Sequence, residues 1–342
     1  MKKFICLISL ITAAIPFIFA SGGLDFGSKN KIVIYTSMYQ DVIDSVKTEL
    51  KNKFPKYNIE FVYGGTGTLE NKISTERSGG RLGCDILMTA DPAYSLELKE
   101  KGMLHPFISK EASNLAFDYD KEGYWYPVRI STMVLAYNPD KYLKNNLPDS
   151  FRSFAFDTKV AGAISMRNPL ISGTTMATIM ALKDKYGYEY FDALGKQRVA
   201  IDYGSDETIR KLESGECRIV MILEEAILKI REEKKSKLEV IYPADGAVVI
   251  PSPIMIINNK WSANKNTKAA EEISNWFLSA DGQSAIVAGW MHSVRTDVDK
   301  IPYDSKPINQ IRFNSIPVIW ENVYKQRGDT LRKFEQNLAG RK

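Results

Sequence analysis

The sequence predicts an α/β protein of two lobes, each a mostly parallel sheet flanked by helices, with two crossing strands joining them. Three observations predict it. Short apolar strands alternate with helical stretches in two separate sets. Two long extended runs, "YWYPVRISTMVLAYN" (Tyr124–Asn138) and "LEVIYPADGAVVIPSPIMIIN" (Leu238–Asn258), bracket the second set. The 342 residues suffice for two domains of the usual ~100–200 residues.

The elements follow from local chemistry. After "MKK" comes an uncharged run, Phe4 to Ala20, ending in small residues; a basic start, an apolar core and small residues describe a secretory signal peptide over 1–20. The run is shorter than the ~20 residues a spanning helix needs, and Pro16 interrupts it. "KIVIYTS", "NIEFVY" and "CDILMTA" then read as strands, each leading into a stretch with apolar residues at helical spacing. The helix after the third strand has an N-cap in Asp91 and a first-turn proline in Pro92. Beyond the first extended run, "GAISMRNP" and "CRIVMIL" are strands, and "SGTTMATIMALKDKYG", "DETIRKLESGE" and "EEAILKIREEKK" are helices. Helical patterns from Thr267 onward close the chain. Short strand–helix units imply parallel sheets covered on both faces. The lobes are expected at 21–132 with 253–342 and at 133–252, with C-terminal helices partly packing on the second.

Composition narrows the function. With 46 basic and 41 acidic residues intermixed, the formal charge is only +5 and no basic block favours nucleic acid. Of three cysteines, Cys6 lies in the leader; Cys84 and Cys217 open strands on opposite sides of the first extended run, too far apart to bridge, and are expected as two free thiols. His105 and His292, the two histidines, have no nucleophile pattern around them and read as ordinary surface or packing residues. There is no Walker loop, no G-x-S-x-G elbow and no zinc-ligand spacing, so no enzyme and no cofactor are expected.

The strand-end loops carry the candidate site, because open α/β sheets bind ligands beyond the carboxyl ends of their strands. Two of these loops are helix starts rich in Gly, Ser and Thr: "GGTGTLENKI" with Thr66, Gly67 and Thr68, and "SGTT" with Ser172, Gly173, Thr174 and Thr175. Small residues let an oxyanion approach the unpaired N–H groups and the positive end of a helix dipole. The same residues also serve as plain helix caps. Asp91, Glu224 and Glu225 either face a cationic or donor-rich part of a ligand or sit at solvated helix starts. Arg129 is either the anion's charged partner or part of a structural ion pair. Tyr39 and Tyr203 either stack on a ring or pack into the core.

Taken together, "IVIYTSMYQDVIDSV", "GGTGTLENKISTERSGGRLGCDILMTAD", "STMVLAYNPD", "NPLISGTTMATIMALKDKYG", "ADGAVVIPSPIMII" and "SADGQSAIVAGWMHSVRTDV" resemble the solute-binding proteins of ABC importers with the type 2 periplasmic binding protein fold. The likeness runs from about Lys31 to Asp299 and is nearest the ferric-binding-protein-like group. That group includes binders of iron, thiamine, thiamine pyrophosphate, aminoethylphosphonate and sugar phosphates. Its ferric binders usually carry a Tyr-Tyr pair where this chain has Glu224-Glu225, and several carry an early His where it has "SMYQD". "GGTGTL" and "SGTTM" are similar to the phosphate loops of the organophosphate binders, with the usual "SGTGY" altered. The resemblance implies a monomeric periplasmic protein that delivers a phosphorylated molecule to an ABC permease in the inner membrane. The acids favour a zwitterionic ligand such as thiamine pyrophosphate or aminoethylphosphonate over a plain sugar phosphate. The rival readings are ferric iron held by Tyr39, Asp91, Glu224 and Glu225, and a periplasmic phosphatase-like enzyme.

Overall fold

The computed structural model describes residues 30–339, so the expected signal peptide and Cys6 lie outside the described residues. The first set of elements is β1 (Lys31–Thr36), α1 (Gln40–Lys53), β2 (Asn58–Tyr63), α2 (Thr66–Ser78), β3 (Ile86–Met88) and α3 (Pro92–Glu100). The long crossing strand β4 (Trp125–Tyr137) leads to α4 (Phe151–Phe156), β5 (Ile164–Arg167), α5 (Gly173–Tyr186), α6 (Glu189–Lys196), β6 (Ala200–Asp202), α7 (Ser205–Ser214), β7 (Ile219–Leu223) and α8 (Glu224–Lys234). The return path is β8 (Glu239–Ile241), β9 (Ala247–Ile256), α9 (Thr267–Leu278), α10 (Ala280–Ala288), α11 (Ile308–Phe313), β10 (Ser315–Ile316) and α12 (Trp320–Ala339).

One mixed sheet runs through both lobes in the order β2-β1-β3-β9-β4-β7-β5-β6, with β10 beside β9 and β8 beside β4. β1 pairs in parallel with β2 and β3, and β5 with β6 and β7. The crossing strands β4 and β9 run antiparallel to each other and to the strands they join. The apolar core divides along them. Tyr126, Val128, Ile254 and Ile256 pack with Ile32, Ile34 and Phe277. Met133, Leu135, Val248 and Ile250 pack with Phe151, Met176 and Phe191. Each such side chain contributes roughly 1.5–3 kcal/mol on burial. Phe334 and Val323 bring α12 onto this second core.

The second extended run is not one strand. It breaks between β8 and β9 at Pro243-Ala244-Asp245-Gly246, because proline offers no N–H to the ladder and Gly246 takes a φ of +110°. Asp245 uses the bend to accept hydrogen bonds from the N–H groups of Phe151 and Arg152 at the start of α4. Cys84 and Cys217 are free and buried, in different core clusters. No helix among the described residues is long and apolar enough to cross a membrane.

Candidate functional site

A cavity of about 490 Å³ opens between the lobes at the strand ends, a size typical of the ~300–1,000 Å³ of small-molecule sites. Of the residues named from sequence, Tyr39, Thr66, Thr68, Arg129, Ser172, Gly173, Thr174, Tyr203 and Glu225 line it. Only the second of the two helix starts is capped by a side chain; α2 begins after Gly65 with none. Ser172 caps α5, its Oγ accepting from the Thr175 N–H at 3.2 Å, and Thr66 Oγ1 accepts from the Ala90 N–H at 3.1 Å.

Four sequence-named residues stand elsewhere. Thr175 is turned inward, its hydroxyl donating to Ser172 Oγ at 2.9 Å. Gly67 meets the opposite lobe: a Cβ there would lie 2.3 Å from the Leu170 carbonyl oxygen, and its N–H donates to the Ile171 oxygen at 3.3 Å. The glycine therefore lets the lobes touch. Asp91 is 1% exposed; one carboxylate oxygen caps α3 at Ala93, and the other accepts from Arg327 of α12 at 3.0 Å. Arg327 also reaches Glu70 at 2.8 Å. Glu224 points away from the cavity, to His292 at 3.0 Å, to Ser305 at 2.5 Å and to the Tyr242 hydroxyl. His292 is thus a buried packing residue with one defined carboxylate partner, while His105 meets Glu271 at 2.7 Å near the surface.

The Asp91–Arg327 link gives a stability prediction. Burial raises the Asp91 pKa, and Arg327 opposes the rise. Removing one partner of a buried pair strands the other, at a cost of about 3 kcal/mol. Arg327→Met should therefore lower the urea midpoint, and adding Asp91→Asn should recover part of the loss. A single variant as stable as the parent would show that the pair holds nothing.

The cavity floor is cationic. Arg129 is 2% exposed on β4. The register of β4 on β9 shifts between Pro127 and Arg129, where proline lacks a ladder donor. Its Nη2 donates to Ser37 Oγ at 2.8 Å, but Nε and Nη1 have no partner. Burial lowers its pKa to about 10, so it remains charged at neutral pH. Arg167 Nε is also buried without a partner, and the buried hydroxyls of Tyr39 and Ser205 lie against each other. Burial and then Glu225 push the Tyr39 phenol up to about 12, while Arg167 and the Ser205 hydroxyl pull it back.

Glu225 is 3% exposed, and burial is the main cause that raises its pKa to about 7; Ser131 and Arg129 oppose the rise. A carboxyl that holds its proton more tightly in the folded chain than in the unfolded one, near 4.5, favours folding at low pH. That contribution fades as pH climbs from about 4.5 to about 7. The loss is on the order of 3 kcal/mol. The stability lead of Glu225→Gln over the parent should therefore grow between about pH 5 and pH 7.5 and then level off, as read by denaturant titration. A pH-independent difference would place this carboxyl in water.

Sequence reading missed Arg167 and Lys229 on the cavity wall, and covered Ser37, Ser131 and Ser205 only as members of strand-end loops. A signal for Arg167 was present. It ends the strand "ISMR", at the carboxyl end where open sheets bind ligands. Lys229 pairs with Asp41 across the cleft, and Trp290 donates to Glu232 at 2.6 Å nearby.

Two lobes on a continuous sheet, closed over a polar cavity at the strand ends, define a protein that encloses a small solute. The chain belongs to the bacterial extracellular solute-binding protein family, which it matches over residues 84–312, and it is a solute-binding protein of the ABC-transporter kind. No curated protein sequence matches it. Among solved structures it is similar to iron-bound HitA from Pseudomonas aeruginosa, at 19% identity over 90% of this chain and 99% of that one, with a TM-score of 0.78. AfuA from Actinobacillus pleuropneumoniae with fructose-6-phosphate bound gives 19% identity over 91% and 99%, with a TM-score of 0.78. The ferric binding protein from Campylobacter jejuni gives 16% over 90% and 99%, with a TM-score of 0.74. These likenesses define the fold.

Proposed function

We propose that this protein captures a phosphorylated small organic molecule in the inter-lobe cavity and delivers it to an ABC permease from the periplasm. The observation that carries the reading is Arg129: a buried guanidinium with two unpartnered nitrogens, facing two hydroxyl-rich helix starts. A buried cation is costly unless something pairs with it, and a phosphate oxygen supplies both charge and acceptors. The structure of AfuA with fructose-6-phosphate supports this by analogy of fold. Of the three acids that favoured a zwitterion, only Glu225 faces the cavity, which weakens the case for a strongly cationic ligand.

A ferric reading is favoured by the fold of iron-bound HitA and by Tyr39 and Glu225 on one wall. Against it, Asp91 and Glu224 are engaged elsewhere. Native mass spectrometry of the protein as purified, followed by calorimetry with phosphate esters, tests the proposal. The expected result is a bound phosphorylated species. A visible absorption band on adding ferric citrate, with no heat from any phosphate ester, would replace this reading with iron.

A further inference from the structure

Resting on the phosphate-ester reading, we infer that the ligand carries two anionic groups, one received by Arg129 with Ser37 and the other by Arg167 with Ser205. The two arginines enter the cavity from different parts of the sheet. Arg129 rises from the crossing strand β4, where it lies opposite Ser252 of β9. Arg167 is the last residue of β5 in the second lobe, in register with Asp202 of β6. That register sets Arg167 beside the turn from β6 into α7, whose first residue is Ser205.

The loop is firmly held. Asp202 is buried and accepts from Lys211 Nζ at 2.5 Å and from Thr208 Oγ1 at 2.7 Å, and the Tyr203 N–H donates to Glu207 at 3.0 Å. Ser205 is thus presented on a fixed support, with its Oγ buried beside the Tyr39 phenol, near an Arg167 whose Nε is buried and unpartnered. The Tyr39 phenol, next to Ser205, lies within electrostatic reach of both arginines.

The charges on the cavity wall point the same way. The acids there are Asp41, Asp206 and Glu225. Asp41 is taken by Lys229, and Asp206 is exposed in the first turn of α7. Glu225 is the one buried carboxyl on the wall, and it belongs with Arg129. Nothing on the wall neutralises Arg167. Two guanidinium groups facing one enclosed space, against a single buried carboxyl that resists ionisation, suit a ligand of charge beyond one phosphate monoester, with its anions set apart. Phosphate with carboxylate, or two phosphates on one small skeleton, is the class this describes.

Two matched pairs test it by calorimetry: 3-phosphoglycerate against glycerol 3-phosphate, and fructose 1,6-bisphosphate against fructose 6-phosphate. The parent protein should prefer the doubly anionic member of at least one pair by about ten-fold or more, the worth of one charge-assisted contact. Arg167→Gln, shown to be folded by its melting curve, should bring that ratio close to one. A parent that binds the single phosphates as well as their partners in both pairs overturns the inference and leaves the phosphate-ester reading standing. A preference that survives in Arg167→Gln overturns the assignment to Arg167. If no member of either pair binds, and inorganic phosphate does not bind either, the phosphate-ester reading falls and this inference falls with it.

Discussion

Replacing Arg129 by methionine is expected to weaken capture of a phosphate ester by at least about 100-fold while leaving the empty protein folded. The guanidinium offers two unpartnered nitrogens to the cavity. Hydrogen bonds to charged groups are worth about 1.5–3 kcal/mol each, so losing two removes about two decades or more of affinity. Stability moves the other way. Arg129 is buried, and its pKa is lowered to about 10 chiefly by that burial, which means the charged form is disfavoured in the folded chain. An apolar side chain of similar length removes that cost, and Glu225 can then take up a proton. Calorimetry and a thermal melt read the two effects separately. Retained affinity, or a collapse in melting temperature, would mean that Arg129 is a structural group and not the anion's partner.

Gly67→Ala is expected to block closure. The added methyl would lie 2.3 Å from the Leu170 oxygen and 3.1 Å from the Ile171 Cα, both backbone atoms of the opposite lobe. Backbone cannot swing aside as a flexible side chain does, so the lobes must part. Overpacking of this kind costs about 1–3 kcal/mol. Here the cost falls on the closed form, because the contact exists only when the lobes meet, and it weakens ligand binding by roughly five- to 150-fold. Gly173 makes the reciprocal approach, with Thr66 side-chain atoms 2.7–2.9 Å from its missing Cβ. Small-angle scattering of Gly67→Ala with saturating ligand should show a more open particle than the parent. Equal affinity and equal compactness would show that the alanine is accommodated without moving the lobes.

The α/β alternation, the crossing strands and the two helix starts were legible because each is local. Period and composition within ten or fifteen residues decide them. Asp91 as N-cap before Pro92 belongs to the same class, and so does Ser172 as cap of α5. What these residues do beyond their own turn was not legible. Asp91 looks like a strand-end ligand residue until Arg327, 236 positions later, arrives on α12 and takes its free oxygen. Glu224 and Glu225 read as one pair, yet successive residues on a helix point about 100° apart. One carboxyl therefore enters the cavity, and the other joins His292, Tyr242 and Ser305 behind it. Gly67 looked like a phosphate glycine and serves as the bearing on which the lobes meet.

By itself, then, the sequence determined the elements, their order and the polar chemistry of the strand ends, since hydrophobic period, turn residues and caps act over a few residues. Only the tertiary structure decided which polar groups remain unpartnered. That depends on partners that arrive from distant parts of the chain: Arg327 satisfies Asp91, Ser305 satisfies Glu224, and nothing satisfies Nε of Arg129 or of Arg167. A binding site here is the set of polar groups that folding brings together and leaves unpaired, and that remainder exists only once every other pairing has been made.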